Sequence, residues 1–151
     1  MRVILQRVAH AQVVVEGNTI GKIDQGMLVL LGVTHEDQQA DIDWLVKKLM
    51  QLRVFNDPDG KMNLSIQDVE GDFLVISQFT LFANSKKGNR PSYTRSAPPD
   101  ISIPMYEQFV QTLRSQFAGK VETGQFGAEM KVSLLNDGPV TIILDSKHRD
   151  F

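Results

Sequence analysis

The sequence predicts a single α+β domain spanning residues 1–151, with a mixed or antiparallel β-sheet and two amphipathic helices. Three observations lead there. Short apolar, β-branched runs fill the first third and the last quarter of the chain. Two segments between them switch to helical spacing of their apolar residues. The order is strands, helix, strand, helix, strands, without the strict alternation of an all-parallel βαβ fold. A chain of 151 residues buries about 68–70% of its unfolded surface, enough for a core without staples. Its 42% hydrophobic and 23% charged content is that of a globular domain.

The first strands are Val3–Val8 and Ala11–Val15, followed by a turn at Glu16-Gly17-Asn18 and a returning arm at Ile20–Ile23. Met27–Val33 is a continuous apolar run, short enough for a buried strand. Ile42, Leu45, Val46, Leu49 and Leu52 then fall on one helical face, with acidic residues at the start and Arg53 near the end. Asp57-Pro58-Asp59-Gly60 reads as a turn. Phe73–Phe82 reads as a second strong strand. From Ala83 to Pro104 the chain is irregular and rich in proline, and loops of that length are usually functional or mobile. Ser102 suits a helix cap and Pro104 a first turn. Tyr106, Phe109, Val110, Leu113 and Phe117 line the face of that helix, with Gly119 suited to its end. Val121–Phe126, Met130–Leu135 and Val140–Leu144 are the closing strands, with Gly138-Pro139 separating the last two.

Several functional classes drop out. Cysteine is absent, which removes disulfides, thiolate metal sites and cysteine catalysis. No apolar run reaches the roughly 18–20 residues of a membrane helix. The N-terminal apolar segment is short and soon interrupted by charge, unlike a signal peptide. The expected location is the cytoplasm. A net charge of −2 and a pI near 5.9 exclude a generally basic nucleic-acid coat, so any RNA contact must come from a local patch. His10, His35 and His148 lack metal-ligand spacing. The nucleophile elbow G-x-S-x-G, the P-loop and G-x-G-x-x-G are all missing. No metal and no cofactor are expected.

Two segments stand out. Ser77-Gln78-Phe79-Thr80-Leu81 places polar residues at the C-terminal end of an apolar strand. They could line a pocket, or simply face solvent. Asn136-Asp137-Gly138-Pro139-Val140-Thr141 is at least a turn between strands, and its X-Pro bond is of the kind that adopts cis at a cost of only about 0.5–1 kcal/mol. Lys86, Lys87, Arg90 and Arg95 in the central loop, and Lys147, His148 and Arg149 near the C-terminus, could neutralise phosphates or be plain solvated charge.

Together the two segments resemble the signature motifs of the D-aminoacyl-tRNA deacylase family. Gly124–Met130, Met1–Val8 and Gly88–Ser92 also look like family segments, so the resemblance covers essentially the whole chain. It implies a sheet curled barrel-like and a homodimer. It implies hydrolysis of the ester of D-aminoacyl-tRNA, and of glycyl-tRNA, as a proofreading step. Ser77, Gln78, Phe79 and Thr80 would be the catalytic residues. Gly138 and Pro139, as a cis peptide reaching into the partner's pocket, would select chirality. Lys86, Lys87 and Arg90 would grip tRNA weakly. Either the 2′-hydroxyl of the terminal adenosine assists an attacking water, or Thr80 is itself the nucleophile. The same residues leave two other readings open: a non-catalytic RNA-binding protein, and an editing module that removes a mischarged L-amino acid.

Overall fold

The computed structural model describes residues 1–150. Its first strand, β1 (Arg2–Val15), is continuous, where the sequence reads as two strands broken at Ala9-His10. Pairing along one edge with the last strand of the chain, Lys131–Asp145, carries it through that point, while the partner on the other edge changes there. The irregularity between Val8 and His10 survives as a bulge. It changes which face the side chains meet: Val3 and Leu5 join one core cluster, and Val8, Ala11 and Val13 join another.

Glu16 and Gly17 both take positive φ, 49° and 79°. That is the two-residue hairpin loop whose twist matches its strands, and it returns the chain as β2 (Asn18–Ile23). Next, β3 (Gly26–Gly32) runs antiparallel to the first half of β1. A crossover through α1 (Gln39–Gln51) and a small hairpin, β4 (Phe55–Asn56) and β5 (Met62–Leu64), leads to β6 (Asp72–Ser77), parallel to β3. The hairpin turn is the one expected at Asp57–Gly60, with the Asp57 carboxylate accepting from the Asp59 and Lys61 N–H groups at 2.9 and 3.0 Å. A second crossover through α2 (Pro99–Gln116) leads to β7 (Val121–Thr123), parallel to β6. Finally β8 (Lys131–Asp145) lies along the remaining edge of β1.

The sheet is therefore mixed, in the order β2-β1-β3-β6-β7 with β8 outside β1, and it curls nearly into a barrel. A side chain at Gly21 on β2 would meet the Thr123 carbonyl of β7 at 2.7 Å, so glycine permits that close approach. Both faces of the central strands are buried. Met27, Val29, Leu31, Phe73 and Val75 face the helices with Leu45, Leu49, Phe109 and Leu113. Leu28, Leu74 and Ile76 face inward against Val13 and Ile23, with Met130 and Val132 packed on them. This is why β3 and β6 read as unbroken apolar runs.

Four boundaries differ from expectation. The strand predicted over Phe73–Phe82 stops at Ser77, and Phe79–Phe82 forms a 3-10 turn; an apolar run does not tell the two apart. Helix α2 begins at Pro99, with Pro98 in the capping position. Ser102 is thus not the cap but a buried first-turn residue, and Pro104 lies inside the helix. Pro99 has the fixed φ that suits a first helical position, which moves the start upstream. Gly119 does not end α2, which closes at Gln116. Its bare Cα instead makes room for the Phe117 ring, which an added Cβ would meet at 2.5 Å. The strand over Val121–Phe126 ends at Thr123. A fifth difference concerns Gly138-Pro139, which interrupts β8 as a bulge rather than ending a strand. Gln6 pairs Thr141 and Val8 pairs Asn136, so Asp137–Val140 loop out opposite Arg7.

Candidate active site

At the C-terminal ends of β3 and β6 the curl of the sheet leaves a cavity of about 300 Å³. Leu31, Val33 and Ile76 form its floor, and Ser77, Gln78 and Phe79 one wall. Ser102 and Tyr106 of α2, Ser96 of the central loop, and Phe126 to Ala128, Met130 and Val132 complete it. The 3-10 turn shapes the wall. Gln78 N–H bonds Leu31 O at 2.8 Å, so the motif leaves β6 still attached to β3. The turn's first internal bond runs from Leu81 N–H to Gln78 O at 3.3 Å. The N–H groups of Phe79 and Thr80 precede that bond, as the opening donors of any helical turn do.

Among the described residues, Tyr106 is the one titratable side chain lining the cavity. Burial pushes its phenol up to about 12, and its O–H donates to Val75 O at 2.8 Å. It is a fixed neutral wall, not a base. Gln78 Nε2 donates to Thr80 Oγ1 at 2.5 Å. Thr80 thus has an amide donor beside its hydroxyl, and an amide does not remove a proton.

The Gly138–Pro139 peptide is cis, and both residues are exposed. They do not line the cavity of their own chain. Gly138 lies six residues beyond Val132 on β8, up to roughly 20 Å at strand rise. The loop is held from beneath. Buried Arg7 donates from Nε to Asp137 O at 2.7 Å and from Nη1 to Val54 O at 2.6 Å, with the Asp137 carboxylate 3.6 Å from Nε. Asn136 Nδ2 donates to Arg7 O at 3.3 Å and Val140 O at 3.0 Å. So one chain brings Ser77, Gln78 and Phe79 to a cavity, leaves Thr80 bonded to Gln78 but outside the lining, and displays Gly138-Pro139 elsewhere.

The basic residues divide. Lys86, Lys87 and Arg90 are exposed on the excursion of the central loop, outside the cavity. At the C-terminus, Lys147 Nζ bonds Asp41 at 2.8 Å and the Arg149 guanidinium stacks 4.8 Å from the Trp44 ring. Those two cations fasten the tail to α1, where the sequence left phosphate contact or plain solvated charge as the readings. Sequence reasoning missed Arg7 and Tyr106 as supports of the site. Arg7 had a readable signal: it shares the alternation of Val3 and Leu5, which points a charge toward the buried face.

A family model described as D-Tyr-tRNA(Tyr) deacylase matches residues 4–145. A curated relative from Flavobacterium johnsoniae, named D-aminoacyl-tRNA deacylase, is 57% identical over 150 residues, covering 99% of this chain and 100% of its own. One of the same name from Thermosipho africanus is 56% identical over 147 residues, covering 97% and 98%. Among solved structures, c-Myc DNA Unwinding Element Binding Protein superposes with a TM-score of 0.91 at 39% identity, covering 96% of this chain and 98% of that one. A probable eukaryotic D-amino acid tRNA deacylase gives 0.80 at 18% identity, covering 95% and 98%, a likeness of fold alone. The family match and the full-length similarity to curated relatives define an enzyme of the hydrolase class. More narrowly, the chain belongs to the D-Tyr-tRNA(Tyr) deacylase family.

Proposed function

We propose that this protein hydrolyses the ester joining a D-amino acid to the 3′ end of tRNA, and accepts glycyl-tRNA, working as a cytoplasmic homodimer. The observation that carries the reading is the cavity itself: a largely apolar strand-end pocket with a few neutral polar groups and no charged side chain in its lining, in a chain whose relatives are named for this activity. An aminoacyl ester is activated, so it needs positioning and a place for negative charge more than a strong protein nucleophile. The N–H groups of Phe79 and Thr80 would hold the developing oxyanion, one such donor being worth about 10²–10³ in rate. Ser77 and Gln78 would set the turn and the substrate. The 2′-hydroxyl of the terminal adenosine would assist water.

Gly138 and Pro139 of the partner subunit would close the cavity. Fixed main-chain atoms there meet the side chain of an L-residue, while that of a D-residue points to open space. Such a filter ignores side-chain identity. A side-chain pocket would instead sort by size, at about 1–3 kcal/mol per methylene. Glycine has no side chain to exclude, hence the predicted loss of glycyl-tRNA. In the direct assay, D-tyrosyl-tRNA and glycyl-tRNA lose their ester quickly and L-tyrosyl-tRNA is spared. Loss of the L-form at an equal or greater rate favours an editing module, and loss of neither favours a binding protein.

Two smaller effects are expected. Thr80→Ala keeps deacylation within about tenfold of the parent, because no base stands beside the hydroxyl. A fall of about 10⁴-fold with substrate binding intact assigns Thr80 as the nucleophile. Replacing Lys86 and Lys87 together by alanine reduces the slope of tRNA affinity against salt by up to about two counterions. An unchanged slope removes those lysines from tRNA contact.

A further inference from the structure

Phe79 and Tyr93 form an exposed aromatic pair at the mouth of the cavity. Phe79 is 56% exposed although it lines the cavity, and Tyr93 is 39% exposed. Their ring centroids are 5.1 Å apart at an interplanar angle of 73°. In such an edge-to-face pair the ring that offers its edge keeps both of its own faces uncovered. Two large aromatics left partly in water beside a pocket forgo part of the stabilisation that burial would give them.

Tyr93 is not placed there by a loose loop. Asn84 and Ser92 exchange main-chain bonds at 2.7 and 2.9 Å. Ser96 N–H bonds Tyr93 O at 2.9 Å, and Ala97 N–H bonds Val33 O at 2.9 Å, which ties the segment to the end of β3. His35 Nε2 lies 3.3 Å from Thr94 O. The same segment, residues 83–98, carries Lys86, Lys87, Arg90 and Arg95 and no acidic residue, in a protein of net charge −2. Aromatic faces next to a run of cations are how proteins hold single-stranded nucleic acid: bases stack and phosphates are neutralised.

We propose that Phe79 and Tyr93 form a stacking platform for the base that precedes the terminal adenosine, with the cations of the loop beside its phosphate. This rests on the deacylase reading and extends it: the cavity would take the terminal aminoacyl-adenosine, and the platform the next nucleotide of the single-stranded CCA end. It explains why an exposed aromatic from a distant loop meets the one motif residue that both lines the cavity and faces solvent. It also gives a tRNA-specific grip that ignores tRNA identity, since every base has a face to stack.

The test compares two small substrates, the D-tyrosyl ester of the trinucleotide CCA and the D-tyrosyl ester of adenosine, by their KM with the full-length protein. The parent protein prefers the CCA ester. In Tyr93→Ala that preference collapses by about tenfold, and Tyr93→Phe retains it. The proposal is overturned if the parent shows no preference, if Tyr93→Ala leaves it unchanged, or if both esters lose equally. It is also overturned if sedimentation shows that Tyr93→Ala loses the dimer together with the preference, because a second copy then covers the pair. Should the parent cleave neither ester, the deacylase reading is judged by the D-tyrosyl-tRNA assay alone. The platform is then judged by binding of uncharged CCA, whose Kd rises about tenfold in Tyr93→Ala if the platform holds, and an unchanged Kd overturns it.

Discussion

Gly138→Ala is expected to lower hydrolysis of D-tyrosyl-tRNA by about 100-fold or more while the protein stays folded. Gly138 has φ of +149°, a region that residues with a side chain rarely enter. An added Cβ would lie 2.7 Å from Val140 N, 2.8 Å from Val140 Cγ2 and 3.2 Å from Arg7 Nη2. Two of those atoms belong to the loop itself and the third to its buried support, so the loop must move. It is exposed in its own chain, which keeps the cost in stability small. In the proposed dimer it borders the reacting ester, where a displacement of about 1 Å costs on the order of 10² in rate. Steady-state deacylation beside a thermal melt separates the two effects. Near-parental activity removes the loop from the site.

Arg7→Ala carries the second large effect, on stability and activity together. The guanidinium is buried and donates to Asp137 O and Val54 O, and to Asn56 Oδ1 at 3.3 Å. Removing it leaves the Val54 carbonyl in a buried site without that donor, and releases Asp137 next to Gly138. Charged hydrogen bonds are worth about 1.5–3 kcal/mol each, and an orphaned buried carbonyl costs about 1–3 kcal/mol. The two bonds under 3 Å alone sum to at least about 3 kcal/mol, which lowers the melting temperature by at least roughly 6–12 °C in a chain of this length. Deacylation falls further than in a variant equally destabilised elsewhere, such as Val110→Ala in α2, because the loop as well as the fold has lost its anchor. Equal activity in the two variants at a temperature where both are folded confines Arg7 to a structural role.

The two motifs were legible in the sequence because each is local. Ser77–Thr80 follows directly on β6, and Asn136–Thr141 is one bulge of one strand, so neighbours in sequence are neighbours in space. The helical faces around Leu45 and Phe109 were legible for the same reason. What the pattern could not show is what long-range pairing decides. Ala9-His10 reads as a break, yet pairing with β8 keeps β1 whole and turns the break into a change of face. Phe79–Phe82 is as apolar as a strand, and the polar Gln78-Thr80 contact is what accompanies its turn. Arg7 and Asp137 are 130 residues apart, and Tyr106 meets Val75 across a crossover. Only the topology puts them together. The cavity depends on the curl that carries Met130 and Val132 over Ile76, and no local run of residues encodes that.

In the proposed dimer, Gly138 and Pro139 of one subunit serve the cavity of the other. Mixing two inactive variants tests it. Gly138→Ala keeps its cavity and loses its loop, and Ala128→Trp fills the cavity while keeping the loop. Unfolded and refolded together at equal concentration, they should regain about a quarter of parental D-tyrosyl-tRNA deacylation, since about half of the dimers are then mixed and each has one intact composite site. A mixture that forms mixed dimers and remains inactive shows that each loop serves its own chain, and contradicts the account.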